Sequence, residues 1–334
     1  MNGALAPLRY APFRLLMGGR TVNALGNSFA PIALAFAVLD LTGSAADLGL
    51  VVGARTLVNV IFLLFGGVLA DRLPKHLLMV GASAAAALTQ GMVAALVLTG
   101  NATIPLLVAL GAINGMVGAL SLPASASILP LTVPAEVRQQ ANALNRISLN
   151  TAAVLGAPLA GIVVAGVGPG WGIAVDAVTF AIAGLFFLPL RVPEPARQVP
   201  QPGMIGGEKT PGEAPDAPAR PNVFADLRAG WIEFRSRTWL WVVVSAFCVM
   251  NAAWSGGLFV LGPLVADETI GRRAWGLVLA AETAGMIIGG LVAIRLRLRR
   301  LLFFGVCSCL FMALPVLLLG VAPYLWALLA GSLV

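Results

Sequence analysis

Long stretches without a charged residue recur along this sequence, and each is long enough to cross a lipid bilayer as a helix. Residues 77–99 and 104–128 are two of them. A membrane-crossing helix needs about 20 mostly apolar residues. We therefore predict an all-α polytopic membrane protein with about ten spans, near residues 13–39, 47–69, 77–99, 104–128, 142–166, 171–190, 239–265, 274–294, 301–320 and 323 onward.

Basic residues fall in alternate loops and orient these spans. They comprise Arg9, Arg14 and Arg20 at the start of the first span, then Arg72, Lys75, Arg138, Arg146, a group between residues 191 and 237, and Arg295, Arg297, Arg299 and Arg300. Basic loops stay on the cytoplasmic side. We expect a multi-pass protein of a bacterial plasma (inner) membrane with a cytoplasmic N-terminus. The net charge of +7 is explained by these loops, so no nucleic-acid partner is predicted.

The charged break between the second and third spans carries the most specific motif. Residues 66–76 read Gly-Gly-Val-Leu-Ala-Asp-Arg-Leu-Pro-Lys-His. This resembles the signature loop of the major facilitator superfamily, with matches at Gly67, Leu69, Ala70, Asp71, Arg72 and Lys75. Pro74 stands where glycine is usual, which resembles the drug-efflux branch of macrolide and enterobactin exporters. The resemblance implies a conformational-switch loop; a generic basic hairpin loop is the alternative.

The resemblance also implies two six-span halves joined by a long cytoplasmic loop. We predict an N-terminal bundle over 1–190, a flexible Pro-rich linker over 191–222, an amphipathic helix over 223–238 and an incomplete C-terminal bundle over 239–334. The amphipathic segment could equally be a cytoplasmic extension of the seventh span. The final apolar run is short, so we expect the major facilitator fold with a complete first half and a truncated second half.

Three of the ionisable residues in predicted spans stand out: Arg55, Asp176 and Glu282. Such residues are costly in a bilayer and are functional candidates by default. No phosphate-binding loop is present, so transport would be driven by a gradient. We hypothesise that Arg55 and Glu282 face a cavity between the halves, and that Glu282 or Asp176 exchanges protons. Alternatively, Arg55 reaches the outer interface and Asp176 caps its helix.

The fifth span contains a partial match to a motif of the same family's antiporters. Gly156, Pro158 and Gly161 match, whereas Ala157 and Ile162 replace glycines. A kinked helix with a small-residue face packs tightly and could seal one side of a cavity. Small-residue packing unrelated to transport direction explains the motif equally well.

The family's first, fourth and seventh spans line its central cavity, which makes polar residues in those spans pocket candidates. They are Asn23, Asn27, Asn114, Asn251 and Trp254. The surrounding residues are apolar, which suits a hydrophobic or amphipathic substrate. Hydrogen bonding between helices is the alternative role for each asparagine.

These observations predict a secondary active transporter, not an enzyme. The expected task is proton-coupled efflux of hydrophobic small molecules, such as a drug or siderophore, by alternating access of a monomer in the lipid bilayer. No metal site or cofactor motif is visible. The alternatives are a uniporter or importer of a metabolite or lipid, and a truncated membrane protein that does not transport.

Overall fold

The computed structural model describes the backbone of residues 5–72, 74–190, 223–295, 313–321 and 324–333. The predicted linker at 191–222 lies outside the described residues. The side chains of Asp71 and Arg72 in the signature loop also lie outside the described residues. The backbone of Gly67, Asp71 and Arg72 forms the end of a helix. Lys75 begins the next helix.

The described chain is all-α, with no β-strand among its described residues. The longer helices of its first part are α1 (Ala11–Asn27), α2 (Phe29–Thr42), α3 (Ala45–Arg72), α4 (Lys75–Leu98), α5 (Ile104–Ile128), α6 (Arg138–Val167) and α7 (Pro169–Phe187). After residue 222 come α8 (Val223–Ser236), α9 (Thr238–Ser255), a π-helical turn (Gly256–Leu261), α10 (Gly262–Glu268), α11 (Arg272–Arg295), α12 (Ala313–Val321) and α13 (Leu325–Leu333).

Proline and glycine set the breaks between these helices. Pro31 lies just after the junction of α1 and α2. If the two helices were continuous, the ring of Pro31 would collide with the carbonyl of residue 27. The first span is therefore two helices placed end to end. Gly43 ends α2 with φ of +64° and Gly168 ends α6 with φ of +98°. A residue with a Cβ rarely adopts such angles, so these turns need glycine.

Seven segments of the described chain are long and apolar enough to cross a membrane. They are Ala11–Thr42, Ala45–Leu63, Lys75–Leu98, Ile104–Leu131, Ala135–Val167, Pro169–Phe187 and Thr238–Glu268. They match the first seven predicted spans. Helix α11 covers the predicted eighth span but is not among the seven. The count of ten spans stays a prediction.

The chain divides into two compact units. One comprises Met1–Pro193 with Ser255–Val334, and the other comprises Glu194–Trp254. In the first unit, α3 packs on α5, α4 on α5 and α7, α1 on α6 and α7, and α11 on α6. A hydrophobic cluster gathers near the start of α1, around Phe13, Leu16, Met79, Ile128 and Phe187.

The second unit contains α8 and most of α9. On α8, the rings of Trp231 and Phe234 stack with centroids 5.6 Å apart, and Nε of Arg237 donates to Glu233 over 2.8 Å. A helix is therefore present at the predicted amphipathic segment. Its location on a membrane surface stays a prediction, as do the domain boundaries at residues 190, 222 and 238.

Candidate functional site

A polar cavity of about 250 Å³ lies within the bundle formed by the first seven helices. Helices α1, α3, α4, α5 and α7 supply its walls. The residues that line it are Arg20, Asn23, Asn27, Arg55, Asn59, Met79, Ala82, Ser83, Ala86, Asn114, Val117, Gly118, Ser121, Ser125, Phe180 and Phe187. The described lining thus contains two arginines, several neutral polar groups and an apolar wall, but no carboxylate.

A second cavity, of about 380 Å³, adjoins the first through shared residues. It is lined in part by Pro31 of α2 and by Ser255 and Phe259 of the segment that precedes α10. Arg55 and Asn114 border both cavities. The second cavity therefore extends the site toward helices of the later part of the chain.

Arg55 is held by a close approach of α3 to α5. A Cβ placed on Gly115 would overlap the carbonyl oxygen of Arg55, so only glycine allows this separation. One turn further along α3, Asn59 Nδ2 donates to the carbonyl of Gly115 over 2.9 Å. Arg55 is thus placed at the junction of the two cavities rather than at the end of α3.

Arg20 corrects the sequence prediction, which placed it among the charges at the start of the first span. It lies in the second half of α1, and its guanidinium is held by neutral partners. Nε donates to Ser125 Oγ over 2.9 Å, and Nη2 donates to the carbonyl of Ser125 over 2.6 Å. Nη1 donates to Asn145 Oδ1 over 3.1 Å. Taking a cation partly out of water is costly unless it is hydrogen-bonded, so this set of partners explains how the half-buried Arg20 is tolerated.

Asp176 is fully buried in α7, with 0% of its surface exposed. Gln90 of α4 donates to the Oδ2 of Asp176 over 2.6 Å, while the Oδ1 has no hydrogen-bond partner in the part of the chain that the structure describes. The charge of Arg55 attracts this carboxylate, although the two side chains do not form a direct ion pair. Asp176 lies seven residues after the first residue of α7, so it does not cap the helix as the alternative interpretation held.

Gly26 of α1 brings the backbone close to Asp176. A Cβ on Gly26 would overlap the hydroxyl of Thr179 and would lie 2.9 Å from Asp176 Oδ1. The Thr179 hydroxyl is itself occupied, since it donates to the backbone carbonyl of Asp176 over 2.7 Å. The unpartnered oxygen of Asp176 therefore faces the backbone of α1.

The predicted pocket asparagines separate into two groups. Asn23, Asn27 and Asn114 line the first cavity. Asn114 also donates to Thr89 Oγ1 over 3.3 Å, so its alternative role of joining helices is seen as well. Asn251 and Trp254 belong to the second compact unit, where Asn251 donates to the carbonyl of Phe247 over 2.9 Å.

Glu282 and Arg55 are not brought together around these cavities. Glu282 is half-buried in α11 and lines neither of them. It has no hydrogen bond or ion pair with another residue that the structure describes. The carboxylate that Arg55 attracts is Asp176.

The antiporter-like segment of α6 contacts two helices. A Cβ on Gly156 would lie 2.7 Å from Ser28 Cβ at the end of α1, so α1 and α6 touch here. A Cβ on Gly161 would lie 3.0 Å from the carbonyl of Arg272, where α11 begins. Pro158 lies between these contacts, inside the helix. The segment thus contacts both an early helix and a late one.

A charged cluster joins α2 to the start of α11, and we call it the Arg272 cluster (Phe36, Asp40, Asp267 and Arg272). Arg272 Nη1 donates to Asp40 over 3.0 Å, and Nε donates to Asp267 over 2.8 Å. Its guanidinium carbon also lies 4.8 Å from the centroid of the Phe36 ring. The hydrogen bonds that Arg272 donates, first to Asp40 and then to Asp267, raise the pKa of Arg272. Asp40 is therefore paired with a residue in a distant part of the chain.

Sequence reasoning missed several of these residues. Gln90 is a polar residue within the charge-free stretch 77–99, which was an available signal. The pairing of Asp40 with Arg272 spans 232 positions and has no local signal.

Comparisons with known proteins agree with this architecture. A family model described as Major Facilitator Superfamily matches residues 16–334. A search of curated proteins gives no match. Among solved structures, a bacterial homolog of the human lysosomal transporter Spinster, in an inward-facing and unoccupied conformation, has a TM-score of 0.67 at 14% identity, covering 96% of this chain and 71% of that chain. The nucleoside transporter NupG has a TM-score of 0.64 at 12% identity, covering 96% and 78%. The family model matches nearly the whole length of this chain, so the chain belongs to the Major Facilitator Superfamily of membrane transporters.

Proposed function

We propose that this transporter exports small hydrophobic or amphipathic molecules in exchange for protons. It would act as a monomer in a bacterial inner membrane, with its N-terminus in the cytoplasm. The observation that carries proton coupling is the fully buried carboxylate of Asp176, with one oxygen bonded to Gln90 and the other without a partner among the described residues.

A proton on Asp176 would change the balance of charge around the cavities. The one hydrogen bond from Gln90 would stabilise only one oxygen of an ionised Asp176. The positive charge of Arg55 would offset the remaining cost of burying the negative charge. Protonation removes the attraction between Asp176 and Arg55, and thereby frees Arg55 at the junction of the two cavities. Proton binding and the position of Arg55 would be linked in this way. Glu282 remains the second candidate for the coupling group.

The cavities suit a substrate with both apolar and polar parts. Phe180 and Phe187 form an apolar wall, while Asn23, Asn27 and Asn114 offer hydrogen bonds. A site near the middle of the bundle is where transporters of this class bind their substrates.

Alternating access needs one end of the site to close while the other opens. The contacts of the Arg272 cluster and of Gly161 with α11 hold one end together. With a cytoplasmic N-terminus this is the outer end, and the N-terminal end of α1 opens inward. The signature loop (Gly67, Asp71, Arg72 and Lys75) would act at the inner end. The resemblance of that loop and of the α6 segment to exporters supports efflux as the direction.

Transport into everted membrane vesicles tests this proposal. Vesicles from cells that express the full gene are given an inside-acid gradient, and uptake of the amphipathic dye 1-anilinonaphthalene-8-sulfonate is followed by fluorescence. We expect uptake that stops when nigericin collapses the pH gradient and is lost in Asp176→Asn. Glu282→Gln, the matched control, separates the two candidate carboxylates. Uptake that continues without a pH gradient would contradict proton exchange and favour a uniporter.

A further inference from the structure

We propose that the Arg20 end of the first cavity is a subsite for an acidic group of the substrate, so that the transported molecules are amphipathic anions. This inference rests on the proposed transport function and specifies its substrate class.

The first step is the charge balance of the cavity. Arg20 and Arg55 both line it, and its described lining contains no aspartate or glutamate. Arg55 is attracted by Asp176, which lies behind the wall. Arg20 has no such partner, because Ser125 and Asn145 are both neutral. One half-buried positive charge therefore faces the cavity, and no carboxylate among the described residues compensates it.

The second step is the hydrogen-bonding capacity of that guanidinium. A guanidinium has five N–H donors in a fixed planar arrangement. Its four described hydrogen bonds go to Asn145, the Ser125 carbonyl and, twice, the Ser125 hydroxyl. At least one N–H is left for a ligand. The partners fix the orientation of the group without neutralising it, which preorganises it for a carboxylate, phosphate or sulfonate.

The third step is the apolar surface beside this charge. Phe187 and Met79 line the cavity and belong to the hydrophobic cluster near the start of α1. A Cβ on Gly19, the neighbour of Arg20, would lie 2.5 Å from the Phe187 ring, so this wall adjoins the arginine. An acidic group at Arg20 would therefore carry an apolar body against aromatic and thioether surfaces.

The anion and proton subsites are separate along α1. Asp176 lies beside Gly26, six residues after Arg20. At 1.5 Å per residue, this places the two subsites about 9 Å apart along the helix. The inference about Arg20 can therefore be tested independently of proton movement at Asp176.

Binding of three matched naphthalene derivatives tests the inference. They are naphthalene-2-sulfonate, the neutral naphthalene-2-sulfonamide and the cationic 2-naphthyltrimethylammonium. Binding to the purified full chain in phosphatidylcholine nanodiscs is measured by calorimetry. Loss of a charged hydrogen bond typically costs a factor of about ten or more, so we expect the sulfonate to bind at least roughly tenfold more tightly than the sulfonamide.

Variants assign that preference to the residue. Arg20→Gln should remove the preference for sulfonate, whereas Arg20→Lys should keep part of it. Arg14→Gln is the matched control, since Arg14 is an exposed cation on the same helix. The ratio of sulfonate to sulfonamide affinity is the readout, because a general loss of structure would weaken both ligands alike.

Equal binding of the three probes, no binding by any of them, or an unchanged ratio in Arg20→Gln would overturn the inference. Sulfonate preference without proton-dependent dye uptake would uphold the anion subsite and reject the proposed coupling. Proton-dependent uptake without sulfonate preference would reject the anion subsite and uphold the proposed coupling.

Discussion

Loss of Arg272 should open the end of the transporter that the Arg272 cluster holds closed. Arg272 and Asp267 both lie in the later part of the chain, on either side of the short turn between α10 and α11. Their ion pair therefore persists when this end opens. The contacts that would separate are those from Arg272 to Asp40 and to the Phe36 ring, both on α2.

The magnitude follows from those two contacts. The side chains of Arg272 and Asp40 are 22% and 42% exposed, so water and salt weaken their attraction. Such a pair contributes about 0.2–1 kcal/mol. A cation over an aromatic ring at a partly exposed site adds about 0.5–1 kcal/mol. The sum is about 1–2 kcal/mol, which corresponds to a roughly 5- to 30-fold change in the ratio of closed to open populations.

Distances between spin labels on the two sides of this end measure that ratio. Labels at Asn101→Cys, between α4 and α5, and at Thr269→Cys, after α10, use two exposed positions in a chain whose natural cysteines (Cys248, Cys307 and Cys309) are replaced by serine. We expect Arg272→Gln to increase the long-distance population.

Two comparisons keep the reasoning refutable. Arg273→Gln removes the neighbouring exposed cation, which forms no ion pair with the residues that the structure describes, and should leave the distances unchanged. Asp40→Asn should act like Arg272→Gln, and the double variant should be no more open than either single variant, apart from the lost ring contact. A distance distribution that changes equally in Arg272→Gln and Arg273→Gln, or in neither variant, would refute the claim that the Arg272 cluster holds this end closed.

Three further predictions concern the same elements. Higher ionic strength should lengthen the spin-label distance in the wild-type chain but not in Arg272→Gln. The raised pKa keeps Arg272 charged, so salt weakens its attraction to Asp40 by screening. Gly26→Ala should lower the unfolding temperature in detergent, because overpacking against Thr179 should lower the free energy of unfolding by about 1–3 kcal/mol. Gly81→Ala should not lower it, because open space surrounds Gly81. Gly276→Val should abolish dye transport, since a Cβ there would lie 2.6 Å from the Ala157 carbonyl, while Gly289→Ala on the same helix should retain it.

The sequence was informative where the physical constraint was local. A charge-free stretch such as 104–128 has few alternatives to a membrane-crossing helix, so the first seven spans were predictable to within a few residues. The cost of placing a charge in a bilayer drew attention to Asp176 for the same reason. Asn23, Asn27 and Asn114 were found from the family resemblance, which gives the spans that line a cavity.

The remaining features depend on contacts between distant residues. Arg20 resembled the basic residues that precede a first span, and only its bonds to Ser125 and Asn145 show that it faces a cavity. The hypothesis that Arg55 and Glu282 face one cavity rested on their presence in predicted spans, which does not give the direction in which each side chain points. The ion pair of Arg272 with Asp40 likewise joins two distant parts of the chain, which no local pattern of charges predicts.

The central claim is that Asp176 carries the exchanged proton, and infrared difference spectroscopy tests it most directly. Spectra of the purified chain in nanodiscs are recorded while the pH is stepped, in ordinary and deuterated water. The account predicts a C=O stretching band of a buried protonated carboxylic acid that shifts in deuterated water, disappears in Asp176→Asn and remains in Glu282→Gln. A band that persists in Asp176→Asn would contradict it, and its loss in Glu282→Gln would assign the proton to α11 instead.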